Sequence, residues 1–568
     1  MNRASRRQTA KSSPTSRTQS LSPEAHRLFQ EAVSHHQAKR FQQAEAGYDH
    51  ILSQFPTHPD SLHLRGLLGY QQGHYQLALE LIQEAISLDH SKPHYFFNQA
   101  LVLEKKERWD EAISAYQEAI RLKPQYVEAL SNIGNVYRQQ RQWPKAIAAY
   151  EDATRLRPQS ADLLNNLGVV YKEKGDLDHA LTHYQQATQL SPEHAEAHHN
   201  MGVVLKDQGK LEEAAHAFQH ALNLKPTYAN AHYHLGLIFL WQQRKEDALA
   251  CFQRSADLTY NQGQGVAPPF VTKARLKHDA EQLDYLSAHV PSIPFPQDYQ
   301  DTLKATSANR TQEISDSIFV QLTLQEQKCL APSFHKLLYV RPTDVVSGKA
   351  INPDLDVAAI EAQYYSTQPE TMFVDNLLTQ EALTELRAFC LESTIWKRDY
   401  PNGYIGTFLA NGFACPLLLQ IAEELRTRFP RLFQHHQLVQ AWAFKYDSAL
   451  RGLNMHADAA AVNVNFWITP NEANRNSGNG GLVVWDKEAP NHWDFAEYNN
   501  DKNRYKIQEF LEQSEAKPIT IPHRQNRAVI FNSNLFHKTD VIDFQDKYES
   551  RRINVTLLYG HRQQSRQL

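Results

Sequence analysis

A histidine and an aspartate stand two positions apart late in the chain, as His456-x-Asp458. At the end of a strand, residues two apart can point the same way, so one imidazole and one carboxylate can share a metal ion. A second imidazole would complete a facial triad, and His537, just after the apolar run AVIFNSNLF, is the candidate. The spacing by itself is a weak signal, because His58-x-Asp60 also occurs. We interpret that second occurrence as accidental.

Short segments rich in β-forming residues surround the triad from about residue 371 onward. They are separated by turn-forming residues, as in a β-sandwich or a barrel. The clearest segments are VQAWAFKYD, AVNVNFWIT, GGLVVWD, NRAVIFNS and RRINVTLLYG. A strand and an amphipathic helix are predicted before them in TMFVDNLLTQEALTELRAFCLES. Asn463, Asn465 and Trp467 stand at every second position of one predicted strand and so share one face. We assign that face to the side of the sheet on which the metal triad lies.

Residues 371–562 resemble the iron(II)- and 2-oxoglutarate-dependent oxygenase superfamily, particularly its prolyl-hydroxylase-like branch. Tyr446 precedes His456 by ten residues with Gly452 between them, similar to the Tyr…Gly…His-x-Asp run of that branch. AVNVNFWITP and GNGGLVVWD resemble the barrel strand and the Gly-Gly turn that follow, and RINVT resembles the strand that carries a co-substrate arginine. The resemblance implies a double-stranded β-helix, or jelly-roll barrel, with supporting helices.

The resemblance also implies a metal centre and a co-substrate site. His456, Asp458 and His537 would hold Fe(II) as the catalytic residues and leave coordination positions open for 2-oxoglutarate and dioxygen. Decarboxylation of 2-oxoglutarate would be coupled to hydroxylation of a C–H bond, with ascorbate as a further candidate cofactor. The predicted co-substrate contacts are Arg552, Tyr446, Asn465, Thr556 and Asn554. The presence of Asp458 favours hydroxylation, because halogenating relatives carry a small residue at that position.

Two adjacent arginines compete for the distal carboxylate of the co-substrate, which needs a planar cation that binds it through two hydrogen bonds. Arg552 shares a strand face with Asn554 and Thr556, whereas Arg551 shares the opposite face with apolar residues. In the superfamily the polar face of this strand points into the barrel, so we choose Arg552. A register shifted by one residue would choose Arg551 instead.

The first half of the chain repeats itself every 34 residues. Alanine recurs seven times at this period, from Ala44 to Ala248, and a Tyr, Phe or single Ile stands four positions after each. Glycine and proline columns follow the same period. These columns resemble the tetratricopeptide repeat. The resemblance implies seven helical hairpins that stack into an all-α solenoid with a curved groove.

One polar column stands out among these small and apolar columns, at Asn98, Asn132, Asn166 and Asn200. Asparagine is unfavourable inside a helix, because its amide competes with the backbone for hydrogen bonds. The column resembles the asparagine ladder of O-linked N-acetylglucosamine transferases, which grips protein substrates, and therefore implies peptide binding in the groove. Local packing within the hairpins is the alternative explanation.

The length of 568 residues exceeds a single core and predicts several domains. We divide the chain into a disordered basic tail (1–24), the repeats (25–262), a linker or docking region (263–370) and the oxygenase-like domain (371–562). A net charge of −4 does not suggest nucleic-acid binding, and no apolar run is long enough for a membrane span. Four widely spaced cysteines fit a reducing, cytoplasmic location.

Three functional hypotheses follow. The first is an Fe(II)- and 2-oxoglutarate-dependent oxygenase that hydroxylates a protein or peptide recruited by the repeat groove. The second is a non-catalytic interaction scaffold whose barrel is degenerate. The third is an oxygenase that acts on a small molecule and uses its repeats for assembly.

Overall fold

The computed structural model describes residues 22–262, 267–293, 295–310, 317–450, 455–490, 493 and 504–561. Nearly all of the predicted basic tail, and Gly452, lie outside the described residues. The chain divides into two compact units, residues 1–217 and 218–568. No described helix is both long and apolar enough to cross a membrane. The domain boundaries expected from the sequence stay predictions.

Fourteen helices occupy the described residues 22–262. They are α1 (Pro23–Gln37), α2 (Phe41–Gln54), α3 (Pro59–Gln71), α4 (Tyr75–Leu88), α5 (Pro93–Lys105), α6 (Trp109–Leu122), α7 (Val127–Gln139), α8 (Trp143–Leu156), α9 (Ala161–Lys174), α10 (Leu177–Leu190), α11 (Ala195–Asp207), α12 (Leu211–Leu224), α13 (Ala229–Trp241) and α14 (Lys245–Tyr260). Each of the seven repeats supplies two consecutive helices. The predicted all-α repeat solenoid is confirmed.

The periodic residues form the contacts inside each hairpin. Ala146 and Tyr150 of α8 are completely buried, as are their counterparts in the other repeats. The periodic glycines of the first helices allow the aromatic rings of the second helices to approach the backbone. A Cβ atom at Gly168 of α9 would lie only 2.5 Å from the ring of Tyr184 in α10. The aromatic ring of the second helix therefore packs directly on the backbone of the first, which a larger residue would prevent.

The rest of the second unit mixes helices and strands. Its helices are α15 (Lys273–His289), α16 (Gln297–Arg310), α17 (Leu324–Leu330), α18 (Val357–Ser366), α19 (Gln380–Glu392), α20 (Pro416–Arg428), α21 (Pro430–Phe433) and α22 (Arg504–Gln513). Its strands are β1 (Phe270–Thr272), β2 (Phe319–Gln321), β3 (Thr371–Val374), β4 (Arg398–Tyr400), β5 (Tyr404–Phe408), β6 (Leu438–Tyr446), β7 (Ala449–Leu450), β8 (Val462–Trp467), β9 (Leu482–Glu488), β10 (Pro518–Ile521), β11 (Ala528–Asn532), β12 (Leu535–Thr539), β13 (Ile542–Asp543) and β14 (Ile553–Tyr559).

Two antiparallel sheets hold most of these strands. The larger sheet has seven strands in the order β3-β11-β8-β14-β6-β5-β4, and the smaller has the order β10-β9-β12. Trp467 and Phe531 of the larger sheet share one buried apolar cluster with Leu482 and Val484 of the smaller sheet. The two sheets therefore pack face to face. This region is β-rich with a large antiparallel sheet, and its jelly-roll topology stays a prediction.

Within the second unit, the last helical hairpin is fused to the β-rich region. Apolar residues of α13 and α14 belong to the same buried cluster as residues of β6. The indole of Trp241 donates a hydrogen bond to the carbonyl of Leu438 (2.8 Å), and the hydroxyl of Tyr233 donates one to the carbonyl of Val439 (3.3 Å). The seventh repeat thus packs directly on the start of β6.

A lysine of β6 is completely buried on the sheet face that packs against the helices. The Nζ atom of Lys445 donates hydrogen bonds to the carbonyl of Cys390 (3.2 Å) and the hydroxyl of Tyr548 (2.9 Å). It lies 4.4 Å from the ring centroids of both Trp396 and Tyr548. It forms no ion pair with any described carboxylate, and burial lowers its pKa well below the ordinary value. Burying this amine therefore lowers the free energy of unfolding at every pH at which the amine is protonated in the unfolded chain.

We expect Lys445→Met to stabilise the second unit by about 1–3 kcal/mol at pH 7. The substitution leaves no orphaned partner, because the Cys390 carbonyl also accepts from Trp396, and the Tyr548 hydroxyl keeps its bonds to Gln282 and Leu391. Guanidinium unfolding followed by tryptophan fluorescence measures the change.

The pH dependence of this stabilisation has a defined sign. The pKa of Lys445 is lower in the folded state than the value of about 10.4 in the unfolded chain, so the wild-type protein gains stability as the pH rises from 7 to 10. The advantage of Lys445→Met should shrink over that range. The exposed Lys349→Met is the control and should show neither effect. A clear destabilisation of Lys445→Met at pH 7 would contradict the argument.

Candidate active site

Backbone pairing brings the two halves of the predicted metal triad together. His456, just before β8, forms an isolated antiparallel bridge with His537 of β12, through N–H···O bonds of 3.0 and 2.8 Å. The amide of Asp458 donates to the carbonyl of Ser533 (3.0 Å), between β11 and β12. A segment 80 residues away in the sequence therefore reaches the His-x-Asp turn by strand pairing.

The three side chains form a compact group of donor atoms. One ligand atom from each of His456, Asp458 and His537 lies within 4.8 Å of the others. Oδ2 of Asp458 lies 3.4 Å from Nε2 of His537, and Oδ1 of Asp458 lies 3.9 Å from Nε2 of His456. Among the residues that the structure describes, it is the one group of three or more His, Cys, Asp or Glu side chains whose ligand atoms lie close enough to share a metal ion.

Neighbouring groups fix the orientation of these ligands. Nδ1 of His537 lies 3.0 Å from the carbonyl of Leu535, which can only accept, so Nδ1 is the donor of this bond and Nε2 points toward Asp458. Nδ2 of Asn463 donates to the Asp458 carboxylate (2.6 Å). Burial by itself would raise the pKa of Asp458, but hydrogen bonding and charge from His537, with His456 and Asn463, hold it below its ordinary value. The carboxylate is therefore ionised at neutral pH.

Arg552 is buried on the face of the large sheet that faces the small sheet. Its guanidinium donates to the carbonyls of Gly480 (2.5 Å) and Gly481 (3.1 Å) and to Oδ1 of Asn554 (3.2 Å). It also lies 4.7 Å from the ring centroid of Tyr446. All these partners are neutral, and no described carboxylate lies within ion-pair distance of this charge. A Cβ atom at Gly481 would lie 1.9 Å from the Ile521 carbonyl, so only glycine can present its carbonyl here.

Arg551 lies on the opposite face. Its Nε and Nη2 atoms are each 2.7 Å from the Glu281 carboxylate of α15, and Nη1 is 3.3 Å from the Asp447 carboxylate. This arginine is therefore neutralised by two carboxylates on the outside of the sheet. Of the two adjacent guanidinium groups, Arg552 is the one that lies in the interior without a carboxylate.

The other predicted co-substrate residues lie on the same inner face as Arg552. Thr556 of β14 stands opposite Asn465 of β8, and Nδ2 of Asn465 donates to the Thr556 hydroxyl (2.9 Å). Nδ2 of Asn554 also approaches Thr556 (3.4 Å). The hydroxyl of Tyr446 lies 3.2 Å from that of Thr539. The structure therefore collects all five predicted residues in one buried polar surface.

Several residues of this surface were not anticipated from the sequence. They are Thr539, His523 and the carbonyls of Gly480 and Gly481. The Gly-Gly turn forms part of the resemblance to oxygenases, but nothing in its spacing shows that its carbonyls would hold a guanidinium. His523 stands in a polar loop after β10 with no motif around it.

In the first unit, the asparagine column links consecutive repeats. Nδ2 of Asn98 lies 2.7 Å from Nε2 of His63, and Nδ2 of Asn200 donates to Oδ1 of Asn165 (2.9 Å). Both partners lie 35 residues earlier, in the preceding repeat. Asn132 and Asn166 are half-buried like the other two. Local packing therefore accounts for part of the column, and the ladder function stays a prediction.

The fold thus defines a helical-hairpin repeat protein with an appended β-rich region. Family models match the repeat region. The model described as "TPR repeat" matches residues 104–141, 134–175, 170–209 and 204–243, and that of "Anaphase-promoting complex, cyclosome, subunit 3" matches residues 32–119. The chain therefore carries tetratricopeptide repeats, as predicted, and repeats of this class are typical of protein-interaction surfaces.

Solved structures of repeat proteins are also similar to parts of the chain. YrrB, titled a TPR protein with an unusual peptide-binding site, is 26% identical with a TM-score of 0.27, covering 31% of this chain and 91% of its own. A tetratricopeptide repeat protein from Parabacteroides merdae is 18% identical with a TM-score of 0.36, covering 42% and 95%. A repeat protein from Cytophaga hutchinsonii is 16% identical with a TM-score of 0.36, covering 40% and 95%. The comparison with curated proteins gave no match.

We expect the chain to bind one divalent metal ion, and the double variant His456→Ala, Asp458→Ala to lose stoichiometric binding. Removing two of three ligands leaves a single imidazole, which cannot retain Fe(II) or Mn(II). Anaerobic calorimetry and metal analysis after desalting measure the stoichiometry. His58→Ala, in the His-x-Asp sequence at the start of α3, is the matched control and should bind metal normally. Retention of one equivalent of iron by the double variant would show that the site lies elsewhere.

Proposed function

We propose that the protein is an Fe(II)- and 2-oxoglutarate-dependent oxygenase that hydroxylates a polypeptide recruited by its repeats. The observation that carries the proposal is one largely buried surface that holds both a two-histidine, one-carboxylate group and a guanidinium without a carboxylate within ion-pair distance. A metal ion and a dicarboxylate 2-oxo acid would neutralise these two features together.

The donor set fits Fe(II). Two imidazoles and one carboxylate, from His456, His537 and Asp458, would hold Fe(II) together and leave other coordination positions open. When bound, Fe(II) supplies oxygen activation coupled to decarboxylation of the 2-oxo acid. The protein's part is geometric: Asn463 holds Asp458, the Leu535 carbonyl holds His537, and the bridge between β12 and the His456 segment fixes the distance between them.

The arrangement of the strands supports a double-stranded β-helix. Along the chain, strands alternate between the two sheets: β6 and β8 join the large sheet, β9 and β10 the small one, β11 the large, β12 the small and β14 the large. The bridge between His456 and His537 adds the segment before β8 to the edge of the small sheet at β12. We infer that the two sheets form the jelly-roll barrel expected from the sequence, with the metal ligands at its open end.

The inner surface also fits the co-substrate. Arg552 is a planar cation that suits the distal carboxylate of 2-oxoglutarate. Between it and the metal ligands, Oδ1 of Asn465 and Oδ1 of Asn463 are buried without a hydrogen-bond partner. Buried polar atoms are rarely left unpaired, so these orphaned groups support a polar ligand or ordered water in this space. The hydroxyl groups of Tyr446 and Thr556 lie on the same inner surface.

The interaction-scaffold hypothesis is the second candidate, because all the family matches fall within the repeats. The direct test is succinate release from 2-oxoglutarate by the Fe(II)-loaded full chain under oxygen, with and without peptides from a cell extract. Succinate release that disappears in Asp458→Ala supports the oxygenase. Normal metal binding without any succinate release would favour the scaffold instead.

We expect Arg552→Lys to weaken 2-oxoglutarate binding more than tenfold, about 1.4 kcal/mol or more. Lysine keeps the charge but loses the paired donors of the guanidinium. Calorimetric titration of the anaerobic Mn(II)-loaded chain measures the affinity. Arg551→Lys is the matched control, because that side chain binds Glu281 and Asp447 outside the pocket. A loss in Arg551→Lys with none in Arg552→Lys would reverse the assignment.

We expect alanine at all four column positions to raise the KM for a protein substrate. The four positions are Asn98, Asn132, Asn166 and Asn200. An asparagine amide has four hydrogen-bonding positions, so its contact with the preceding repeat can orient it while leaving capacity for a peptide backbone. Iron binding and the slow 2-oxoglutarate turnover without substrate should not change, because they depend on residues 371–562.

The control for the quadruple variant uses exposed residues of the second helices with the same 34-residue spacing. These are Gln117, Glu151, Gln185 and Gln219. Their replacement by alanine should leave all kinetic constants unchanged. If the asparagine variant processes its protein substrate with unaltered kinetics, the column does not recruit the substrate, and the small-molecule hypothesis gains support.

A further inference from the structure

His523 has no partner for either of its ring nitrogens. It lies just after β10, is 6% exposed, and both Nδ1 and Nε2 are buried without a hydrogen bond. Its backbone amide is anchored to the carbonyl of Asn479 (3.3 Å), next to the Gly-Gly turn that holds Arg552. A buried imidazole that makes no hydrogen bond is unusual, because leaving both of its nitrogens unpaired costs their full desolvation.

A second orphaned donor lies beside it. The indole Nε1 of Trp467 is completely buried and also lacks a hydrogen-bond partner. The ring of Trp467 lies 5.7 Å from that of His523 and 5.7 Å from the guanidinium carbon of Arg552. Three nitrogen-bearing groups therefore lie together beside the end of β8 and the residue that precedes β14.

The charges around His523 keep its ring neutral. Burial lowers its pKa to about 3, and the guanidinium groups of Arg552 and Arg527 act in the same direction. A neutral imidazole offers one N–H donor, and the indole offers a second. Together with a guanidinium that has only neutral partners, these donors match an anion with several acceptor oxygens, which a carboxylate provides.

We propose that His523 and Trp467 are co-substrate-binding residues, which donate hydrogen bonds to the same distal carboxylate that Arg552 binds. This inference rests on the proposed oxygenase function. The carboxylate is then recognised by three side chains from three separate segments: β8, the loop after β10 and the start of β14. Because all three side chains offer N–H donors, the trio selects a dicarboxylic 2-oxo acid over one that ends in a methyl group.

The test compares two ligands that differ only at that end. 2-Oxoglutarate and 2-oxovalerate are titrated into the anaerobic Mn(II)-loaded full chain, in the wild type and in His523→Phe and Trp467→Phe. Each substitution keeps an aromatic ring and removes the donor. We expect each variant to bind 2-oxoglutarate about tenfold more weakly and 2-oxovalerate within about twofold of the wild type. His523→Gln, which retains an N–H donor, should recover most of the affinity.

Unchanged 2-oxoglutarate affinity in both phenylalanine variants overturns the proposal, as does an equal loss for the two ligands. Thermal melting and Mn(II) stoichiometry, measured on the same samples, identify a variant whose fold is damaged, and the other variant then decides the outcome. Failure of the underlying function gives a different result. In that case neither the wild type nor Arg552→Lys shows measurable 2-oxoglutarate binding, whatever residue stands at position 523.

Discussion

A buried guanidinium without a carboxylate partner is the feature on which the architecture of the second unit depends. Taking such a charge out of water is costly unless other dipoles replace the solvent. Around Arg552 the replacement comes from two glycine carbonyls, an asparagine oxygen and an aromatic face. Each of these groups is placed by strand pairing, since β14 lies between β6 and β8 and the Gly-Gly turn leads into β9. The two sheets therefore enclose a buried positive charge.

One strand links the repeats to this site. At its start, β6 accepts hydrogen bonds from Trp241 and Tyr233 of the last helical hairpin, and at its end it carries Tyr446 against Arg552. Its opposite face buries Lys445 among aromatic rings. The seventh repeat is thus part of the fold that supports the pocket, rather than a freely jointed module.

Much of the molecule could be predicted from local patterns. The 34-residue period predicts fourteen helices, because each repeat must bury the same small and aromatic residues, and the structure has them. Five alternating segments predict β6, β8, β9, β11 and β14. The His-x-Asp pair is also local, since strand-end geometry by itself places its two ligands together. The position of His537 after an apolar strand suggested it as the third ligand, and strand alternation together with the resemblance to oxygenases selected Arg552.

What the tertiary structure decided are the contacts between residues far apart in the sequence. It paired His456 with His537, bound Arg551 to Glu281 from 270 residues earlier, and left Arg552 in the interior. It also placed His523 and Trp467 beside that guanidinium. Periodicity reveals which face of an element is buried but not what lies against it. Partners across a sheet are fixed by strand order and register, which depend on the whole fold.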